Sequence, residues 1–370
     1  MRVGIDVRSL ASKPYTGVAN VARHLLPALF ALAPHNQFVL YFVSDRDVPH
    51  DVALWEGRFS NVHILARRIP GRIFDVAMRF FPYVIWDYAP DCDVLFSPNI
   101  NLVRTKAPRV VVVHDLSFVR YPEFLSPLQR YWHWLMVPKK QAKAAEAIVV
   151  PSFATKQDMV RLWGIAEGKI HVVQWGAPIV RVQSSRIRYQ ENPYILSVGT
   201  VEPRKNFLTL VRAFGMLNNK KARLLLVGPW AQGMVELKGV IANSSARDRI
   251  ELKGFVSEEE KEKLLSAASI FVYPSLLEGF GLPVLEAMSA GVPVIASNRS
   301  SLPEVVGDAG VLADPWKAEE IAAAIDAILD DFELAQELSQ RGKERAKQFS
   351  WERAAQQTLE ILREAAKSRA

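Results

Sequence analysis

The sequence contains little cysteine and no long apolar run. Cys92 is the only cysteine among 370 residues, which excludes an internal disulfide and indicates a reducing compartment. No apolar run reaches the roughly 18–20 residues that a membrane-spanning helix requires. The amino terminus MRVGIDVRSL does not resemble a signal peptide, because Asp6 and Arg8 interrupt its apolar part. We therefore expect a cytoplasmic protein, either soluble or attached peripherally to the inner face of the cell membrane.

Acidic residues are scarce in the first half of the chain. Residues 1–190 contain 24 Lys and Arg against 14 Asp and Glu, whereas residues 191–370 contain 22 against 25. This asymmetry predicts that the first half meets an anionic partner such as a membrane surface, a phosphorylated lipid or a nucleic acid. The alternative interpretation is a solvated basic surface, and the charge balance alone does not separate the two.

The chain is too long for one hydrophobic core, so two domains are expected. Short apolar runs rich in β-branched residues alternate with helical patterns, such as 18–33, 127–146, 207–217, 258–268 and 283–290. Such alternation predicts parallel sheets covered on both faces, in two doubly wound Rossmann-like domains of the α/β class that face a ligand-binding crevice. The predicted strands are 2–7, 37–43, 61–65, 93–97, 109–115, 147–152, 170–175, 194–199, 223–228, 250–255, 270–275 and 292–297.

The domain boundary is predicted near 176–192, where the sequence is polar, irregular and flanked by prolines. The first domain is expected to span 1–180 and the second 190–349. The last stretch, 317–370, is helical in pattern, and Ser350 is a candidate cap for its final helix.

The segment LEGFGLPVLEAM places Glu278 and Glu286 eight positions apart, on either side of a glycine-rich turn. The pattern predicts a strand, a loop that carries Glu278, and a helix that begins at Pro283 and carries Glu286. The backbone amides of Gly279, Phe280, Gly281 and Leu282 then form an anion site of the kind that accepts a diphosphate. A sugar nucleotide has a hydroxyl-rich ring on each side of its diphosphate, so one carboxylate can serve each ring. The alternative is a tight turn with two surface acids.

Two further segments can contact phosphates. Arg204 and Lys205 are adjacent cations after a strand, where a forked guanidinium and an ammonium can grip a diphosphate together. Gly17 precedes a helical pattern, and a glycine there lets the backbone approach donor phosphates; the alternative is a plain helix start.

Taken together, these segments resemble the family-4 glycosyltransferases, retaining enzymes of the GT-B fold. The resemblance covers nearly the whole chain, and it rests on a combination of motifs rather than on one. The matching segments are VVVHDLSFVRYPEFL (111–125), the stretch 147–178, SVGTVEPRKN (197–206), KGFVSEEEKEKLL (253–265), PSLLEGFGLPVLEAMSAGVPVIAS (274–297) and FSWERAAQQTLEIL (349–362).

The resemblance assigns roles to individual residues. It implies that Arg204 and Lys205 stabilise the departing diphosphate in place of a metal ion, and that His114 reaches the transferred sugar without acting as a general base. Phe255 falls in the loop on the nucleobase side. The family often has two adjacent glycines where this chain has Thr16 and Gly17. The final helix, 350–370, is expected to cross back to the first domain.

Two other motifs raise the question of metal or nucleic acid binding. Asp91-Cys92-Asp93 has the spacing of a metal motif, but it precedes a strand at the end away from the expected crevice, so no metal is expected. The stretch 66–88 interleaves arginines with aromatic residues. No RNA-binding signature accompanies it, and it is interpreted either as an amphipathic patch at a lipid surface or as a helix packed on its own sheet.

The resemblance therefore implies a metal-independent, retaining hexosyltransferase with no cofactor other than its nucleotide-sugar donor. The segments HDLSF…YPE and EPRKN most resemble bacterial mannosyltransferases that use GDP-mannose to build surface polysaccharides on a saccharide or lipid-linked acceptor. UDP-glucose and UDP-N-acetylglucosamine are alternative donors. A sugar-nucleotide epimerase or phosphorylase and a non-catalytic nucleotide-sugar binding module are alternatives of other classes.

Overall fold

The computed structural model describes residues 1–11, 17–81, 88, 91–177, 192–231 and 233–368. The chain forms two compact units: Met1–Gly176 with Ser350–Ala370, and Ala177–Phe349. The predicted linker near 176–192 lies almost wholly in 178–191, outside the described residues.

The described part of the first unit is built on a parallel sheet. Its strands are β1 (Arg2–Asp6), β2 (Gln37–Ser44), β3 (Val62–Arg68), β4 (Val94–Ser97), β5 (Arg109–Val112), β6 (Ala147–Val150) and β7 (Ile170–Val172). They lie in the order β3-β2-β1-β4-β5-β6-β7. Strands β4, β5 and β6 are buried along their whole length, as expected of a sheet with both faces covered. The helices are α1 (Gly17–Leu32), α2 (His50–Arg58), α3 (Gly71–Phe80), α4 (Ser117–Arg120), α5 (Pro127–Met136), α6 (Pro138–Ala144) and α7 (Phe153–Asp158).

The second unit has the same architecture. Its described strands are β8 (Tyr194–Val198), β9 (Arg223–Val227), β10 (Ile250–Gly254), β11 (Ile270–Tyr273), β12 (Val294–Ser297) and β13 (Val311–Ala313), in the order β10-β9-β8-β11-β12-β13. The described pairs are parallel, so the strands end at a shared edge. The helices are α8 (Phe207–Met216), α9 (Met234–Ala242), α10 (Glu258–Ala267), α11 (Leu282–Ser289), α12 (Leu302–Val306), α13 (Ala318–Asp330) and α14 (Phe332–Ala346).

The last helix, α15 (Trp351–Lys367), belongs to the first unit. Ser350 caps it, because its hydroxyl accepts a hydrogen bond from the Arg353 amide at 3.1 Å. The Trp351 ring stacks on His24 of α1 and on Trp175, with centroid distances of 5.2 and 6.4 Å. The expected return of the carboxyl-terminal helix to the first domain is thus confirmed.

The α/β class and the two parallel sheets are confirmed, and each predicted strand has a counterpart. The helix predicted over 127–146 is wrong in one respect. It is two helices, because Val137 adopts a left-handed conformation with φ of 44° and Pro138 starts α6. Strand β13 was missed, since three residues at a sheet edge give too short an apolar signal.

Candidate functional site

The turn after β8 carries the predicted cations. Residues Pro203–Lys205 form a single 3-10 turn, and Asn206 follows in a left-handed conformation with φ of 57°. The side-chain amide of Asn206 donates hydrogen bonds to the carbonyl of Pro274 at 3.1 Å and to that of Pro315 at 2.6 Å. These bonds hold Arg204 and Lys205 against the loop that follows β11.

That loop carries Glu278 and is held by two serines. The hydroxyl of Ser301 donates to the carbonyls of Glu278 and Phe280 at 2.9 and 2.8 Å. Ser300 donates to the Glu278 carbonyl at 2.6 Å. The loop ends at Gly281, whose φ is 119°, and a β-carbon there would lie 2.7 Å from a Leu302 methyl group, so a glycine is required. The backbone around Glu278 is therefore fixed before any ligand arrives.

The Glu278 carboxylate forms ion pairs with both predicted cations. Lys205 Nζ lies 2.6 Å from Glu278 Oε1, and Arg204 Nη1 lies 3.1 Å from Glu278 Oε2. Ser275 Oγ donates to the first of these oxygens at 2.5 Å, and the Lys205 ammonium also contacts the Tyr273 hydroxyl at 2.6 Å. The sequence predicted the three charged residues but gave no role to Tyr273 and Ser275, which end β11 and begin the loop.

Burial sets the electrostatics of this cluster. Glu278 and Lys205 are both buried. Burial alone would raise the pKa of Glu278, but Lys205 and Arg204 outweigh it and hold the pKa at about 2. Burial lowers the pKa of Lys205, with the neighbouring Arg204 acting in the same direction. The carboxylate is thus firmly ionised at neutral pH.

Glu202 completes the cluster, and sequence reasoning missed it. Its Oε1 lies 2.6 Å from Arg204 Nη2. With Arg204, Lys205 and Glu278, the cluster holds two cations and two carboxylates, and therefore carries no net charge. An anionic ligand gains net attraction here only when a cation is released from a carboxylate. Glu202 is the more exposed of the two carboxylates, so its ion pair with Arg204 is the easier one to break.

Glu286 lies in α11 and has its own cationic partner. Lys261 of α10 places Nζ at 3.1 and 3.0 Å from the two carboxylate oxygens of Glu286. Burial raises the pKa of Glu286, and Lys261 opposes that shift. Lys261 also pairs with the exposed Glu258 at 2.7 Å. The run EEEKEK indicates that Lys261 forms ion pairs, since a lysine flanked by acids on a helix is typical of such pairing. It does not indicate that one of its partners is Glu286.

The remaining predicted donor residues of the second unit differ in exposure. Phe255 follows β10 and is exposed, as is Trp230 after β9. The Phe280 side chain is buried against Phe349, with ring centroids 5.8 Å apart. Gly279 and Gly281 are buried, and Leu282 begins α11 one residue earlier than predicted. A donor contact of residues 279–281 would therefore use their backbone, because the two glycines have no side chain and the Phe280 ring is already packed.

His114 and Gly17 lie in the first unit. His114 follows β5, and its Nε2 lies 2.9 Å from the carbonyl of Pro98. A carbonyl can only accept, so Nε2 carries the proton and Nδ1 is the acceptor of the neutral ring. Burial lowers the pKa of His114, which favours that neutral form. Gly17 begins α1, and a β-carbon there would meet no atom within 4 Å. Thr16 lies outside the described residues.

Asp91 and Asp93 lie before β4, at the amino end of the first sheet. The Asp93 carboxylate accepts a hydrogen bond from the Arg2 amide at 2.7 Å, which gives it a structural role at the start of β1. Among the described residues, no three or more His, Cys, Asp or Glu side chains are grouped so as to hold a metal ion. No helix in the described part of the chain is both long enough and apolar enough to span a membrane.

Comparisons with known proteins agree with this architecture. The structure matches sucrose-phosphate synthase from Thermosynechococcus elongatus with a TM-score of 0.78 and 22% identity, covering 100% of both chains. It matches Anabaena HepE, solved with UDP and glucose, with a TM-score of 0.74 and 19% identity, covering 98% of this chain and 100% of that one. The fold is therefore the GT-B fold of glycosyltransferases.

Sequence comparison narrows the class to a family. Residues 15–181 match Glycosyltransferase Family 4, and residues 182–345 match Glycosyl transferases group 1. The chain is 34% identical to the Escherichia coli O-antigen chain mannosyltransferase B, over 72% of this chain and 73% of that protein. It is 29% identical to the MMP alpha-(1->4)-mannosyltransferase of Mycolicibacterium hassiacum, over 76% of this chain and 71% of that protein. The chain belongs to the family-4 glycosyltransferases and is a glycosyltransferase.

Proposed function

We propose that this glycosyltransferase moves mannose from GDP-mannose to a hydroxyl of a saccharide or lipid-linked acceptor in surface polysaccharide synthesis, with retention of the anomeric configuration. The similarity to two mannosyltransferases, one of them an O-antigen enzyme, supports the sugar and the pathway class. The placement of Arg204 and Lys205 around Glu278 is the observation that carries the chemistry.

Donor binding exchanges ion pairs in this proposal. The diphosphate replaces Glu202 as the partner of Arg204, and Lys205 turns part of its charge toward the leaving phosphate while Glu278 keeps it in position. Negative charge grows on that phosphate as the glycosidic bond breaks, so a preorganised cation stabilises the transition state more than the ground state. This arrangement supplies charge that a divalent metal supplies in other transferases, so the reaction proceeds without one.

The carboxylates and His114 orient the sugars. Glu278 accepts from hydroxyls of the transferred hexose, and Glu286, held by Lys261, accepts from the ribose. The protonated Nε2 of His114 is committed to the Pro98 carbonyl, which leaves Nδ1 as an acceptor for a sugar hydroxyl. The acceptor proton passes to the leaving phosphate. Phe255 and the backbone of 279–282 complete the part of the donor site that lies in the second unit.

Two measurements test the proposal. A thermal-shift panel of GDP, UDP, ADP and their sugars should show the largest rise in melting temperature with GDP-mannose, because a ligand that binds only the folded state stabilises it by mass action. NMR of the product should show the anomeric configuration of the donor. Inversion would exclude the retaining mechanism.

UDP-glucose is the second candidate donor, because a matching structure, Anabaena HepE, was solved with that compound. A larger shift with UDP-glucose than with GDP-mannose would select it and exclude the mannosyl assignment. Donor turnover, followed as nucleoside diphosphate release, separates a transferase from a non-catalytic binding module.

We also propose that the basic first half of the chain meets an anionic membrane surface, where a lipid-linked acceptor would be found. Its excess of Lys and Arg supports this. Attraction of this kind is screened over about 8–10 Å near physiological salt, so sedimentation with anionic vesicles should fall as salt rises. Equal sedimentation with neutral vesicles would exclude the electrostatic part.

A further inference from the structure

The first unit contains a cavity of about 720 Å³ that the donor and acceptor assignments leave unused. Its lining lies at the start of β5, in the segment before that strand, and on α3 and α6. Its most distinctive feature is charge: Arg79, Arg104, Lys106, Arg109 and Lys140 all line it. Glu146 is the only carboxylate among the described lining residues, so the cavity carries a strong excess of positive charge.

Arg109 is the first indication that the cavity binds an anion. It is buried, and its hydrogen bonds go to the side chain of Gln141 at 2.6 Å, to the Gln141 carbonyl, and to the Val103 carbonyl at 3.4 Å. These partners are neutral. Burial lowers the pKa of Arg109 to about 10, opposed only by Asp6. A buried guanidinium bound by amides and carbonyls gains much from an added anion, because a buried charge is costly until it is paired.

Arg79 gives a second, independent sign. Its Nε atom is buried and has no hydrogen-bond partner among the described residues. Arg79 lies in the last turn of α3, and Arg104 fixes that helix by donating to the Met78 carbonyl at 3.1 Å. An unpartnered guanidinium N–H on the lining of a cationic cavity is suited to an oxyanion such as phosphate.

Exposed apolar side chains lie at the end of α3 and on α5, the helix that precedes α6. Phe80 and Phe81 directly follow Arg79 and are 51% and 59% exposed. Trp134, in the last turn of α5, is 58% exposed, and Val137 just beyond that helix lines the cavity. Basic residues beside exposed large aromatics match the chemistry of a bilayer interface, where aromatic rings enter the headgroup region and cations meet lipid phosphates.

We propose that this cavity, termed here the basic cavity and lined by Arg79, Arg104, Lys106, Arg109 and Lys140, binds the phosphate of an anionic membrane phospholipid. Phe80, Phe81 and Trp134 enter the interfacial layer beside it. The proposal deepens the membrane role proposed above and names the site that would carry it. It is independent of the donor chemistry, because none of these residues belongs to the donor site.

The test compares two charge reversals on one helix. Lys140 lines the cavity, whereas Lys143, three residues later on α6, is exposed and is not part of the lining. Lys140→Glu and Lys143→Glu change the net charge equally. Each basic group near an anionic surface contributes about 1 kcal/mol, and 1.4 kcal/mol is tenfold. Lys140→Glu should therefore lower the partition coefficient onto phosphatidylglycerol vesicles about 5- to 30-fold, and Lys143→Glu much less.

A second pair tests the apolar contribution. Trp134→Ser should lower vesicle partitioning several-fold at high salt, where the electrostatic part is screened. Trp316→Ser removes an equally exposed tryptophan from the second unit and should have no effect. Both variants, like the α6 pair, should release nucleoside diphosphate from donor with a soluble acceptor at the wild-type rate. Nucleoside diphosphate release thus tests the donor chemistry, and vesicle partitioning tests the lipid site, so failure of one proposal is distinguished from failure of the other.

Three results would overturn the proposal. Equal loss of partitioning in Lys140→Glu and Lys143→Glu would mean that only net charge matters. Equal partitioning onto phosphatidylcholine and phosphatidylglycerol would exclude recognition of an anionic headgroup. A rise in melting temperature with inorganic phosphate that Lys140→Glu abolishes, together with unchanged vesicle binding, would assign the cavity to a soluble phosphate compound instead.

Discussion

Lys205 Nζ lies 2.6 Å from Glu278 Oε1, although 73 residues separate them in the sequence. Both side chains are buried, and Arg204 contacts the other oxygen of the same carboxylate. Removing one member of such a pair leaves an uncompensated buried charge, which is strongly destabilising. Substitutions here therefore affect stability and catalysis together, and experiments must measure both.

Lys205→Ala should lower kcat by roughly 10²–10³-fold with little change in the donor KM, by analogy with the loss of one oxyanion donor. The reason is that the negative charge on the leaving phosphate, which Lys205 stabilises, develops in the transition state. Lys263→Ala removes an exposed lysine of α10 and should leave kcat unchanged. Steady-state kinetics on variants shown to be folded by circular dichroism provide the measurement. A Lys205→Ala effect confined to KM would mean that the contact is equally strong in the ground state.

Acid should weaken the second unit through Glu278. Its folded pKa is about 2, below the ordinary value of 4.5, so its contribution is complete above about pH 4.5 and is lost as the pH falls toward 2. Since one pKa unit is about 1.4 kcal/mol, the loss is on the order of 3 kcal/mol by pH 2, of which about 2 kcal/mol falls between pH 6 and 3. Urea unfolding from pH 6 to 3 should show this component in the wild type and not in Glu278→Gln. Parallel pH profiles for the two proteins would contradict it.

Glu286→Ala should raise the donor KM with a smaller effect on kcat, because hydrogen bonds to the ribose exist equally in the ground and transition states. Lys261→Met should have the same effect in weaker form, since loss of the ammonium raises the pKa of Glu286 further and favours its protonated form. Glu259→Ala, an exposed change on α10, serves as the control. Glu278→Ala should change both constants. Loss of kcat in Glu286→Ala at unchanged KM would reverse the roles of the two glutamates.

Glu202→Gln should strengthen the binding of the nucleoside diphosphate product. The substitution keeps the size of the side chain but gives the neutral cluster of two cations and two carboxylates a net positive charge. Removing one charge several Å from the phosphates changes the binding energy by on the order of 1–2 kcal/mol at an effective dielectric constant near 20, or about 5- to 30-fold. Calorimetric titration with GDP and UDP measures this. Unchanged affinity would show that Glu202 does not compete with the phosphates for Arg204.

Turnover should persist in excess EDTA, because Arg204 and Lys205 supply the charge that the proposal assigns to the departing diphosphate. Nucleotide release measured with and without chelator decides the question. Loss of activity in EDTA with recovery on adding manganese would require a metal site, and would direct attention back to Asp91 and Asp93.

The sequence alone determined the architecture and the positions of the charged groups. Near-continuous apolar strands such as RVVVV can only be buried on both faces of a parallel sheet, and the helical patterns between them supply the cover. Chemistry-bearing residues then fall at strand ends. Arg204, Lys205 and Glu278 were predicted for this reason, and the structure places them in direct contact.

The tertiary structure decided which charged side chains lie next to one another. The pairing of Glu286 with Lys261 and the grouping of five cations in the basic cavity each join residues of different elements. Spacing along a helix or strand fixes only which face a residue occupies. Which side chain of another element lies opposite depends on packing and on loop conformations, such as the left-handed Asn206 and Val137, that local sequence patterns do not specify.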